Sequence, residues 1–174
     1  MSQIRTNSLV PAGGLAGDGG GIIQIVQGLY KGSETISSGS YVATSITATI
    51  TPSSTSSKIL AVCVVHVGVT GTQEGLHGRL YRNGSNISGA LGNTAGSRDR
   101  AWLHVGAHYS QWEQYPATAF YLDSPASTSA QTYTLYGRGY GAAQSIKINS
   151  NESDPDDAQQ SRTVSSMTLM EISG

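Results

Sequence analysis

Apolar and polar residues alternate along most of this 174-residue chain with a period of two. Over residues 41–51, Val42, Thr44, Ile46, Ala48 and Ile50 point one way. Tyr41, Ser45, Thr47 and Thr49 point the other, as in a strand with one buried face. Shorter runs rich in Val, Ile, Thr and Tyr predict further strands over 22–27, 75–82, 117–122, 131–138, 143–148 and 163–172. Residues 59–67 are apolar at both parities, which predicts a central strand covered on both sides. Between these runs stand turn formers. Pro52 to Ser57 is a turn, Asp123-Ser124-Pro125 is another, and Asn83-Gly84 closes a tight hairpin onto Asn86-Ile87. The polar loop over 149–162 contains Asp154-Pro155-Asp156-Asp157, which can start one helical turn.

Eight to ten short strands at near-regular spacing, with no helical crossover between them, specify an antiparallel two-sheet β-sandwich. The jelly-roll type fits best. Residues 22–174 form this domain. Residues 1–21 differ: isolated apolar positions are followed by glycines, and such a stretch cannot fold alone. It reads as an extended N-terminal arm whose contact residues are Ile4, Arg5, Leu9, Val10, Pro11 and Leu15.

Composition narrows the function. Charged residues make up 12%, about half the usual share, with Gly, Ser and Thr in their place. Such a chain covers little free surface with charge, so part of that surface is expected to be covered by something else, or to be neutral and hydroxyl-rich. The net charge of −1, with basic residues scattered through the sequence, predicts no nucleic-acid or anionic-membrane partner. No apolar run approaches a membrane span, and the opening residues lack a secretory pattern, so assembly in a cytoplasm is expected. Cys63, alone in a β-branched run, reads as a small buried hydrophobe.

Each catalytic or ligand motif fails on physical grounds. The glycines of 13–21 lack the Lys-Ser/Thr ending of a phosphate loop and lead into a strand. Gly137 to Ala142 matches GxGxxA but is also followed by a strand. There is no GxSxG elbow. His104 and His108, four apart on a strand, lie about 13 Å from each other, too far to share one zinc ion. Asp154, Asp156 and Asp157 lack the Gly and Glu of a calcium loop. The expectation is therefore no enzyme, no cofactor and no metal.

One feature rises above this background. Residues 101–110 alternate as a strand with Ala101, Leu103, Val105, Ala107 and Tyr109 on its core face; Trp102, His104 and His108 stand on the other face, with Trp112 continuing the stripe if the strand persists. Three readings stay open: a subunit interface, inward packing beneath a long loop, or a glycan platform.

Several blocks, taken in order, resemble a known group. They are the leader Met1 to Gly14, then Gly19 to Gln27, Ser45 to Pro52 leading to Ser57-Lys58-Ile59-Leu60, Tyr121 to Pro125, and Met167 to Ile172. Together they cover about half the chain and resemble small β-sandwich structural proteins of tailed bacteriophages, especially those infecting cyanobacteria and other aquatic bacteria. The resemblance implies a virion protein of one of two kinds. The first is a capsid decoration (cement) protein, usually a homotrimer, contacting the major capsid protein. The second is a fibre or receptor-binding tip that recognises a host glycan. It carries over no catalytic residue.

Overall fold

A computed structural model describes residues 21–69, 75–106, 111–139 and 145–174. Its strands are β1 (Ile22–Tyr30), β2 (Glu34–Ile36), β3 (Val42–Ile50), β4 (Lys58–Val69), β5 (Leu76–Arg82) and β6 (Ser85–Asn86). They continue with β7 (Leu103–Val105), β8 (Tyr115–Asp123), β9 (Gln131–Arg138), β10 (Ile146–Ile148) and β11 (Ser165–Ile172).

The pairing is nested. β1 pairs with β11, β3 with β9, β4 with β8 and β5 with β7, all antiparallel. On β4, strand β8 occupies one edge from Ile59 to Val67, so β11 and β10 share the other. Sheet I therefore runs β1-β11-β4-β8, with β10 and β2 continuing beside the far end of β4. Sheet II runs β3-β9-β5, with β7 and β6 along the outer edge of β5. This is the strand order of a jelly roll: one long hairpin rolled into two facing sheets. The expected all-β sandwich is what the chain forms.

Inward-facing residues of both sheets make one core. Ile59, Ala61, Cys63, Val65 and Val67 of β4 meet Ile46 and Ile50 of β3, Leu80 of β5, and Tyr133 and Leu135 of β9, all essentially without solvent contact. Cys63 is the expected buried hydrophobe, and burial pushes its thiol up to about 12. The Asn83-Gly84 turn has positive φ at both residues (50° and 77°), as a two-residue hairpin of this twist requires.

Three expectations need correction. Residues 154–157 form no helical turn, because Asp154 takes a left-handed φ of 44° that a first helical turn cannot accept. Of the strand over 101–110, the described residues form only β7, Leu103–Val105, and 107–110 lie outside them. Strand β4 is covered on its inner face only, since Leu60, Val62, Val64 and His66 on its outer face are half-buried. Two features escaped the pattern altogether, the three-residue β2 and a 3-10 turn at Ser88–Ala90.

Candidate interaction surface

The half-buried side of β4 belongs to a larger apolar face, the outside of sheet I, whose rows follow from register. Leu122 of β8 stands opposite Leu60 of β4, Leu60 opposite Met170 of β11, and Met170 opposite Ile25 of β1. The next row is Phe120, Val62, Thr168 and Gln27, and the next Thr118, Val64, Ser166 and Leu29. No ionisable side chain stands in these three rows. The one amide, Gln27, donates from Nε2 to Thr168 Oγ1 at 2.9 Å, and the other polar groups of the rows are the hydroxyls of Thr118 and Ser166. The edges are the most open parts: Phe120 is 63% exposed and Ile25 59%.

Basic side chains stand at the ends of the rows. Lys58 is exposed at one end. At the other, Lys31, His66 and Arg162 border an open trough of about 550 Å³ floored by Leu29, Thr163 and Val164. His66 Nδ1 is buried there without a hydrogen-bond partner.

The outside of sheet II has the opposite character. Threonines ladder across it, Thr47 with Thr134 at 2.9 Å and Thr49 with Thr132 at 2.8 Å. Beside them the fold gathers arginines that are scattered in sequence. Asp99, from the loop between β6 and β7, accepts from Arg79 at 2.8 Å and from the Tyr41 hydroxyl, lies 3.1 Å from His77 Nδ1, and ion-pairs with Arg138 at 3.3 Å. The Arg79 guanidinium lies over the Tyr41 ring at 4.0 Å. Burial alone would raise the Asp99 pKa. The Tyr41 hydroxyl and the charges of Arg138, Arg79 and His77 outweigh it and hold the carboxyl below its usual range. Burial and neighbouring His104 lower the pKa of His77. With its oxygens committed to these partners, Asp99 pins the loop to the sheet. Among the described residues no three His, Cys, Asp or Glu side chains converge as a metal site.

The aromatic stripe divides. Trp102 is half-buried against the core, and its indole Nε1 donates to the Phe120 carbonyl at 3.1 Å, which is inward packing. His104 is exposed on the outside of sheet II, edge-on to His77 with ring centroids 4.8 Å apart. Trp112 is 50% exposed in the turn before β8, so it does not continue the line of β7. His108 and the arm residues Ile4, Arg5, Leu9, Val10, Pro11 and Leu15 lie outside the described residues. The face on sheet I was missed as a site, although its signal is in the sequence. Residues 22–29, 58–67 and 117–122 carry apolar side chains at both parities, whereas a strand with one wet face alternates. No family model matches this chain, and no curated protein matches it.

Proposed function

We propose that this chain is a structural, non-catalytic component of a bacteriophage particle, a capsid decoration protein that binds the assembled shell and stabilises it. The observation that carries the reading is the outer face of sheet I. It is an uncharged apolar surface four strands wide, on a molecule otherwise coated with hydroxyls and short of charge. Monomeric soluble proteins rarely expose so large a contiguous apolar patch, and such patches mark association sites. Decoration acts by mass action: a protein that binds the lattice but not its separated parts shifts the equilibrium toward the lattice. The phage context comes from the sequence resemblance, as do the homotrimer and the contact with the major capsid protein. In this reading residues 1–21 reach along neighbouring shell subunits, and the protein resides in the virion after assembly in the host cytoplasm.

Copy number in purified particles tests the reading. Hundreds per particle are expected for decoration. Absence from particles, or polysaccharide depolymerisation by the pure protein, would overturn it. Deleting residues 1–20 is expected to leave the sandwich folded while removing it from the shell. A second reading, a fibre or receptor-binding tip, is favoured by half-exposed Trp112 near Tyr115, aromatic groups suited to stacking on a sugar. It predicts only a few to tens of copies, and glycan-array binding that Trp112→Ala removes.

A further inference from the structure

We infer that the outer face of sheet I is closed by the same face of another copy of this chain. This names the partner for the assembly reading above and rests on it, with a twofold pair in place of the trimer that the resemblance implies.

Size is the first argument. Four strands spaced about 4.8 Å apart, each contributing about seven residues at about 3.3 Å, present roughly 400 Å² in projection. Side-chain relief brings the accessible area toward the roughly 800 Å² per partner of a standard stable interface. The face is thus large enough to hold two proteins together without help from elsewhere.

Chemistry is the second argument. The rows carry no charge, and their polar groups are one amide and three hydroxyls, with Gln27 donating to Thr168, so the face offers a foreign protein no charge to recognise. Its complement is another flat, uncharged sheet of matching width, and this chain supplies one in every copy. Two such sheets pack as aligned layers about 10 Å apart, as the two sheets of the sandwich themselves do. Open edge residues such as Phe120 and Ile25 then enter the contact. Lys58 and Arg162, both exposed, remain at its rim, where they stay solvated.

The apolar run of β4 is the third argument. A strand with Leu60, Val62 and Val64 between four fully buried neighbours has the sequence of a strand dry on both sides. Copy-to-copy packing makes it so.

Light scattering on the full chain after size exclusion, at about 1 to 100 μM and in low salt and roughly 1 M NaCl, reads the result directly. The expected mass is twice 18.1 kDa, undiminished by salt, because a face that pairs with itself closes at two copies; a trimer, which needs two unlike faces, overturns the inference. Phe120→Glu and Ile25→Glu, both at exposed positions, are expected to weaken association at least about 100-fold, while Ala43→Glu on the outside of sheet II leaves it unchanged. Thr118→Glu, on the same sheet I face, serves if either variant folds poorly, as judged by circular dichroism. A wild-type chain that is monomeric over the whole range overturns the inference, and so does an oligomer that the folded sheet I variants leave intact. A monomer that still fills its places on particles sinks this inference alone. An oligomer sensitive to these variants but absent from particles supports the inference and sinks the decoration reading alone.

Discussion

The indole of Trp102 and the backbone of Phe120 are joined across the sandwich: Nε1 donates to the carbonyl at 3.1 Å, from the margin of sheet II to the edge strand of sheet I. The bond closes one corner of the roll. The side chain of Phe120 meanwhile points away from the core. Trp102→Ala is therefore expected to cost about 2 kcal/mol of stability, because half-buried aromatic contacts vanish with the hydrogen bond. Trp102→Phe, which keeps most of the packing, is expected to cost about 1 kcal/mol. Urea denaturation gives both values. If Trp102→Ala unfolds at the wild-type midpoint, the indole is not a corner tie.

The opposite corner depends on having no side chain at all. Gly28 faces inward on β1, and a Cβ there would lie 1.9 Å from the Thr47 carbonyl oxygen on β3. That oxygen is backbone and cannot step aside without parting the sheets. Gly28→Ala is expected to cost about 3 kcal/mol or to prevent folding, which thermal unfolding or loss of soluble expression will register. Gly21→Ala, where a Cβ meets nothing, is the matched control.

Acid should loosen the seam between β11 and the turn after β3. Burial alone would raise the pKa of Glu171. The Ser53 hydroxyl at 2.6 Å, the Gln24 amide and the Ser53 N–H at 2.7 Å lower it instead, to about 2. A carboxyl depressed from its ordinary 4.5 stabilises the fold fully above that ordinary value, and this contribution fades as pH falls toward 2. Stability measured by denaturant titration between pH 6 and 2 should fall with acid through this window. Glu171→Gln should flatten that part of the profile, and an unchanged slope would refute the role assigned to this carboxylate.

Asp99 makes a separate prediction. Asp99→Asn removes the anion shared by Arg79, Arg138 and His77 and is expected to cost on the order of 2 kcal/mol. The loop over residues 87–102 should then be cut faster by trypsin, at Arg98 or Arg100. The pKa of Asp99 is lowered in the fold, and so is that of His77, so both contributions are present at neutral pH and decline with acid, His77 first. Equal cleavage rates in the two proteins would show that the loop is held by other contacts.

The strand content was readable from the pattern because alternation reports directly which face is wet. Residues 131–138 were placed to the residue and 163–172 nearly so. Strand β2 was not readable, since three residues are too few to show a period. Strand β7 read too long because Ala101 and Gly106 fit the alternation without carrying the ladder. The interaction face was half readable. Apolar residues at both parities singled out β4 but not that its outer side is open, and only the register of β1, β11 and β8 shows that four strands share that side. Trp102 misled for a related reason. Parity places a side chain on a face, yet at the margin of a sheet that face can turn toward the neighbouring layer.

Because β1 is zipped to β11, with Gln24 opposite Glu171, the first of the described strands to be made is paired by the last of them. During synthesis β1 to β5 emerge while that partner is still inside the ribosome. Non-local closure of this kind is slow, and the unpaired strands stay sticky until it happens. The protein therefore reaches its native form only once β11 has emerged, and neighbouring nascent chains on one message are the first molecules able to meet its open edges. The eight-residue β11 acts as the latch of the sandwich, so truncations that remove it should abolish the whole fold rather than trim it.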